Sequence, residues 1–399
     1  MTNHPSKVAV VTPWYPTAQH PFRGAFVQAM VDATGPGTDM SVFHCEEWGH
    51  RQPAAPIESA YAKLLARTHH PLRFVPTAGG ARVTQLPVPL SVTPRYAEVA
   101  KRHAEVLGQA LQGKPMPFDI VHAHVGLSGG WGALANVGPD TPVHVTEHAS
   151  FLGKLLDQPD AREMYDELLH RVAGFYAVGE RVSRPLIDAF PHHKDRIELI
   201  TNPVSFEYER PVPVTELRRW LYVGTLSQLK GVNWLLEAFA RCHAEDPALT
   251  LTLVGDGPLH AELVERAAAL GVSEAVTFAG VQPPDRALLL FREHDLLVHA
   301  SRFETFGMTI VEASAAGLPV LVTRCGGPQE SLAGIESDAG EMVEVEEGSD
   351  ALVDGYRRLR DRFPDGLDLA RARRVLDDRY GYATTAREHH RVWFGEDRG

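Results

Sequence analysis

The sequence predicts an α/β protein made of two doubly wound, Rossmann-like domains facing each other across a cleft. Three observations predict it. Short apolar, β-branched runs alternate with helical patterns along the chain, the mark of parallel sheets covered by helices on both faces. There are more strand–helix pairs than one sheet holds. A proline-rich stretch, Asn202-Pro203 through Pro211-Val212-Pro213, interrupts the series and cannot continue a helix or a central strand.

Strand candidates in the first half are Lys7–Trp14, Met40–Cys45, Val83–Val88, Asp119–Val125, Val143–Glu147, Phe175–Val178 and Ile197–Thr201. In the second half they are Trp220–Val223, Leu249–Val254, Val276–Ala279, Leu296–Ala300, Val320–Thr323 and Met342–Val345. Helix patterns fill the gaps, among them Tyr96–Leu111, Trp234–His243, Leu259–Leu270 and Leu352–Arg360. Ala383–Phe394 reads as a last amphipathic helix. The domains are placed at 1–206 and 207–380. Ligands of such sheets bind outside the carboxyl ends of the strands.

Composition narrows the function. The chain has 399 residues, 39 basic against 51 acidic, for a net charge of −12, with 44% hydrophobic and 23% charged residues. Such a chain buries a sizeable core, which excludes disorder over most of its length. Its net field disfavours nucleic acid. No apolar run approaches the ~20 residues of a membrane span. Met1–Lys7 is polar and does not read as a signal peptide. Cys45, Cys242 and Cys325 lie far apart, so neither a disulfide framework nor a zinc ribbon is expected and a cytoplasmic location fits. The 20 histidines are expected mostly at the surface, as the pairs His69-His70, His192-His193 and His389-His390 indicate.

One local charge imbalance stands out. Between Tyr61 and His103 lie Lys63, Arg67, Arg73, Arg82, Arg95, Lys101 and Arg102 against Glu98 alone, 7 − 1 = +6. It is either a solvated basic face or a contact for an anionic acceptor or a peripheral membrane surface.

The densest chemical signal is Ser301 to Ala313, which follows a strand and opens a helix expected to run to Gly317. The N–H groups of Gly307, Met308 and Thr309 at that helix start form an anion site suited to a diphosphate or a sugar hydroxyl. Glu304 in the loop and Glu312 in the helix are expected to face one cleft, where a carboxylate accepts from vicinal hydroxyls. A second signal is Tyr222-Val223-Gly224-Thr225, then Ser227 to Val232, with Lys230 just before a helix. A cation there opposes the helix dipole, which favours a phosphate-neutralising role over a plain surface lysine. Leu253 to Pro258 and Phe278-Ala279-Gly280-Val281 are glycine turns at strand ends that suit a nucleotide base and ribose. In the first half, Gly24 opens a helix where phosphate can approach. His122-Ala123-His124 ends a strand, and His124, nearer the end, is the candidate for substrate contact. No carboxylate or cysteine stands at metal spacing beside that pair, so no metal is assigned.

Together these residues resemble the family 4 glycosyltransferases, retaining enzymes of GT-B fold. The resemblance is strongest from Tyr222 to about Gly340, including Gly326-Gly327-Pro328-Gln329-Glu330, and looser around Gly24, Asp119–His124 and Asn202-Pro203. It implies that Glu304 contacts the donor sugar and that Phe306, Gly307, Met308 and Thr309 bind sugar and diphosphate. It further implies that Glu312 holds the ribose, Lys230 compensates the diphosphate, His124 lies by the sugar's reactive face and Gly24 approaches the phosphates. Gly224, Thr225 and Val281 complete the expected donor-binding set. The first domain is then the acceptor side, with 381–399 crossing back onto it. One departure is that Thr225 replaces an arginine usual in the family. Lys230 is then the one cation there, unless Arg324 or Arg23 moves in.

The expected reaction moves a sugar from a UDP-sugar to an acceptor hydroxyl with retention. The acceptor is a small molecule, a glycan or a lipid-linked intermediate. No Asp-x-Asp motif is present, so no metal cofactor is expected. The alternatives are a UDP-sugar 2-epimerase of similar fold and a non-catalytic nucleotide-sugar-binding partner subunit.

Overall fold

The computed structural model describes residues 6–49, 72–90 and 95–395, together with Ser59, Ala62, Lys63 and Ala66. By contacts the chain divides into two compact units, Met1–Asn202 with Thr385–Gly399, and Pro203–Thr384.

The first unit is built on one sheet of eight strands: β1 (Lys7–Thr12), β2 (Asp39–Trp48), β3 (Val75–Pro76), β4 (Arg82–Pro89), β5 (Ile120–His124), β6 (Val143–Glu147), β7 (Gly174–Ala177) and β8 (Ile197–Leu199). Their order is β3-β4-β2-β1-β5-β6-β7-β8. The short β3 runs antiparallel to β4; the other pairs are parallel. Both faces are covered, which is why the strands read as continuous apolar runs. Val8 and Val10 join Val27, Met30 and Trp393 on one face. Ala9 and Val11 join Phe43, Leu107, Val145 and Leu168 on the other.

The second unit carries β9 (Arg219–Val223), β10 (Thr250–Val254), β11 (Val276–Gly280), β12 (Leu296–His299), β13 (Val320–Thr323) and β14 (Gly340–Val343), ordered β11-β10-β9-β12-β13-β14 and all parallel. That is the doubly wound order, and the winding reverses between β9 and β12. In the first unit it reverses between β1 and β5. A ligand crevice opens at such a reversal, outside the strands' carboxyl ends.

Several expected boundaries shift for local reasons. β1 stops at Thr12, not Trp14, because the Thr12 hydroxyl donates to the Trp14 carbonyl (2.8 Å) and accepts its N–H (3.1 Å), turning the chain out of the sheet. The helix after Gly307 is Met308–Ala315 and ends before Gly317. The last helix is Tyr382–Phe394.

The histidine expectation is overturned. His44, His103, His122, His124, His144, His148, His193, His294, His299 and His389 are buried; His69 and His70 lie outside the described residues. Each first-unit imidazole that lies deep finds a polar neighbour inside. His122 Nε2 meets the Thr146 hydroxyl at 2.8 Å, and its Nδ1 accepts from the Trp393 indole at 2.8 Å. His144 Nδ1 meets the Tyr176 hydroxyl at 3.0 Å.

The basic run is less bare than its sequence. Arg82 pairs with Asp39 (2.6 Å), Arg95 with Asp160 (2.7 Å) and Arg102 with Glu105 (2.8 Å), leaving Lys63, Arg73 and Lys101 exposed; Arg67 lies outside the described residues. Among the described residues, no helix is long and apolar enough to cross a membrane.

Candidate active site

In the second unit, the reversal between β9 and β12 brings three predicted segments together. β9 ends at Val223, and Gly224 donates its N–H to Val254 O at 2.9 Å, so that donor is spent on the neighbouring strand. Thr225 is exposed, and its carbonyl accepts from the Tyr222 hydroxyl at 2.9 Å. A single turn, Gln228–Lys230, then leads through Gly231 into the helix Val232–Glu245. That turn is tied to the loop after β12: Arg302 N–H donates to Leu229 O (2.8 Å), and Ser301 Oγ donates to the same carbonyl (3.3 Å).

This tie sets Lys230 against Glu304. Their side chains form a short ion pair, and His299 Nε2 reaches the same carboxylate oxygen at 3.1 Å. Burial alone would raise the Glu304 carboxyl. The His299 hydrogen bond and the charges of His299 and Lys230 outweigh it and bring the carboxyl down to about 2. His299 closes β12 and was not foreseen. Its Nδ1 is buried without a partner among the described residues.

The Glu304 backbone is pinned as well: its N–H donates to Cys325 O (3.2 Å) and its carbonyl accepts from Gly327 N (3.0 Å). Phe306 is buried with its ring edge-on to Tyr380 at 5.0 Å, so its side chain serves packing. Gly307 takes the left-handed conformation (φ 84°) and caps the helix; its carbonyl accepts from Ile310 N at 3.0 Å. The N–H groups of Gly307, Met308 and Thr309 meet no acceptor among the described residues, leaving an anion-receptive helix start. One and a half turns on, the Glu312 carboxylate also has no partner there, and burial pushes it up to about 7. Glu304 and Glu312 are thus unlike: one is held ionised by its neighbours, the other is unpaired. Val281 is exposed after Gly280, at the carboxyl end of β11. Arg324 pairs with Glu344 at 3.2 Å, so nothing draws it to the Lys230 loop.

In the first unit, His124 is buried and Gly24 packs against its own chain. His124 is only 1% exposed, because the chain turns back over it in a π-helical turn, Val125–Gly130. Its Nδ1 bonds His148 Nε2 at 2.8 Å, and its Nε2 is buried without a partner among the described residues. Burial, then the neighbouring His148, lowers its pKa well below the usual range, so it is a neutral imidazole. Gly24 (φ 75°) is needed for a contact within the chain: a Cβ there would lie 2.3 Å from the Trp14 carbonyl. Arg23 stands 3.9 Å from Glu47.

That turn roofs a cavity of about 440 Å³ at the β1/β5 reversal. Its wall combines Trp14, Tyr96 and Phe151 with Glu47, Ser128, Lys154 and Gln158. Tyr96 and Phe151 stack with centroids 5.6 Å apart. Glu47 Oε1 accepts from His103 (3.2 Å) and Ser128 (3.3 Å); against burial, these contacts and Arg23 lower its pKa. Val125, also in the wall, has φ 68°, a strained conformation for a β-branched residue. Glu147, fully buried, holds that turn. It accepts from Gly126 N (2.8 Å), the Tyr165 hydroxyl (2.7 Å) and the N–H groups of His148 and Ala149 (2.8 Å each).

Residues 208–361 match the model of glycosyl transferases group 1, and residues 39–208 match that of glycosyltransferase family 4. The chain belongs to the family 4 glycosyltransferases. Among curated members, it is 30% identical over 287 residues to a D-inositol 3-phosphate glycosyltransferase of Nocardia farcinica, covering 64% of this chain and 63% of that protein. A Rhodococcus opacus protein of the same name is 29% identical over 279 residues, covering 64% and 60%. The chain thus matches less than two thirds of the length of these relatives. Solved structures share the GT-B fold across the chain. HepE of Anabaena, in complex with UDP and glucose, superposes with a TM-score of 0.68 at 16% identity, covering 98% of this chain and 99% of that one. Sucrose-phosphate synthase from Thermosynechococcus elongatus gives 0.71 at 18% identity, covering 97% and 98%. Within this family-4 chain, His299, Glu47 and Glu147 are the site residues that motif reading missed. Each is a single polar residue in or at the end of a strand, with no spacing pattern of its own.

Proposed function

We propose that this chain is a retaining hexosyltransferase. It moves a sugar from a UDP-sugar to a hydroxyl of a sugar or cyclitol acceptor in the cytoplasm, without a metal cofactor. The observation that carries the proposal is the Lys230–Glu304–His299 cluster beside the open N–H groups of Gly307, Met308 and Thr309, with the unpaired Glu312 further along the same helix. A diphosphate takes the N–H groups and Lys230, a ribose takes Glu312, and Glu304 turns to the sugar hydroxyls once Lys230 has moved to phosphate. The HepE complex with UDP supports a uridine donor, and the exposed Val281 fits a contact to the base.

In the reaction, the bond from the anomeric carbon to the diphosphate breaks and the acceptor oxygen bonds the same face. The acceptor proton passes to the departing diphosphate. Charge on that diphosphate is stabilised by preorganised donors. The cavity beside Glu47, Tyr96 and Phe151 is the acceptor site in this reading. The relatives named for D-inositol 3-phosphate support a ring polyol. Lys154, exposed and without an acidic partner among the described residues, suits an anionic substituent. With three arginines of the basic run engaged in ion pairs, that run is given no role.

The test is release of nucleoside diphosphate from UDP-, GDP- and dTDP-sugars, with and without EDTA. Release of UDP from one donor, indifferent to EDTA and lost in Glu312→Ala, is expected. Conversion of one UDP-sugar into another without free UDP would replace transfer by epimerisation. Tight donor binding with turnover only in the presence of a second protein would make the chain a partner subunit.

A further inference from the structure

A second cluster of ligating groups lies in the first unit, apart from the cavity and the β5 end. Asp166 sits in the helix Pro159–Arg171, and His192 and His193 sit in the turn Pro191–Arg196. His192 Nε2 lies 2.7 Å and His193 Nε2 lies 3.1 Å from the same oxygen, Asp166 Oδ1. The three ligand atoms all lie within 4.8 Å of one another. Adjacent histidines normally diverge; here the tight turn brings both rings to one carboxylate, with centroids 4.2 Å apart.

The frame is fixed independently of these contacts. Arg196, at the end of the turn, donates to Leu169 O (3.0 Å) and Val172 O (2.7 Å), capping the helix that carries Asp166. His193 is buried, whereas the His192 side chain is 61% exposed, so the cluster has one rigid wall and one side open to solvent.

We propose that Asp166, His192 and His193 form a binding site for a divalent transition cation of the zinc class. Two imidazoles and a carboxylate are borderline donors that suit Zn²⁺, Co²⁺ or Ni²⁺ over Mg²⁺ or Ca²⁺. Bonds of about 2.0–2.2 Å in a tetrahedron separate neighbouring ligand atoms by roughly 3.4 Å. The present separations from Asp166 therefore need to open by roughly 0.7 Å for His192 and roughly 0.3 Å for His193. The outer position faces solvent and takes water. The cation joins the helix to the turn and has no part in the transfer reaction.

The 399-residue chain, stripped with EDTA, is titrated with Co²⁺ and followed by its visible d–d absorption, then with Zn²⁺ and followed by thermal unfolding. One saturable equivalent is expected, with a Tm rise of ~3–6 °C at tenfold excess over the dissociation constant. Both signals should vanish in His192→Ala and in Asp166→Asn. These positions are open enough for each variant to keep the Tm of the stripped parent, which is checked first. Absence of saturable binding overturns the site. So does a cobalt spectrum or zinc shift that persists in both variants, which would place the cation on other histidines.

Discussion

Lys230 and Glu304 neutralise each other, and His299 donates to the same carboxylate. In the proposed function the cation serves a diphosphate and the carboxylate a sugar, so donor binding has to separate the pair and links the two roles.

The first prediction concerns this pair. Lys230→Ala should lower turnover by ~10²-fold or more, since it removes a preorganised charge from the leaving group. Glu304→Gln should lower it comparably, and the double variant should be far from additive, because each single change strands its partner. Steady-state kinetics of the four proteins decides; additive losses would mean that the residues act separately.

Glu312 gives a pH prediction. Burial holds its carboxyl near 7, above the usual carboxylate range. An acid with a raised folded pKa is protonated in the folded state over a window where it is ionised in the unfolded chain. Stability therefore falls as pH rises from its ordinary value to about 7. The ionised form is the better acceptor for ribose hydroxyls, so affinity for the intact UDP-sugar should rise about tenfold between pH 6 and pH 8. Calorimetric titration at several pH values should show that slope in the parent and a flat line in Glu312→Gln.

Glu304 titrates the other way. Its carboxyl is held at about 2, so its ion pair contributes stability above the ordinary carboxylate pKa and loses it as pH falls towards 2. Glu304→Gln should therefore flatten the acid limb of the melting-temperature profile, measured by calorimetry between pH 5 and the onset of acid unfolding.

In the first unit, Glu47→Gln should raise the acceptor KM by about tenfold, the cost of weakening a charge-assisted hydrogen bond to a bound hydroxyl. Donor affinity should stay unchanged. Lys154→Ala separates acceptor classes: a phosphorylated acceptor should lose at least tenfold in KM, a neutral one almost nothing. Initial rates against both substrates give the answer.

Glu147 is a strut. Glu147→Leu leaves Gly126, His148, Ala149 and Tyr165 with unmet donors and should cost on the order of 3–5 kcal/mol. Denaturant midpoints measure it. An unchanged midpoint would mean that the turn over β5 is held by something else.

The strands were legible because buried parallel strands are unbroken apolar runs, as in Val8 to Val11 or Leu296 to Val298. The loops after β9 and β12 were legible because glycine and proline punctuate them at fixed offsets, from Gly224 to Gly231 and from Gly307 to Gly326. The turn after β5 was not. Val125, a residue of high strand propensity, takes φ 68° because Glu147, which lies 21 residues from Gly126 and 18 from Tyr165, fixes the turn after it. His299 looked like any strand residue, since its meaning lies in a carboxylate reached only after the loop closes. The histidines were misplaced for the same reason: composition treats each as polar, whereas Thr146, Tyr176 and Trp393 satisfy them inside.

The bond from the Trp393 indole to His122 joins positions 271 residues apart. During synthesis, β5 leaves the ribosome long before its partner exists. The first sheet must then wait, one face only partly covered, while the whole second unit is made and folds. A fragment cut at Asn202 would inherit that unfinished state permanently. It should become well behaved only when a peptide spanning Thr385 to Phe394 is added back.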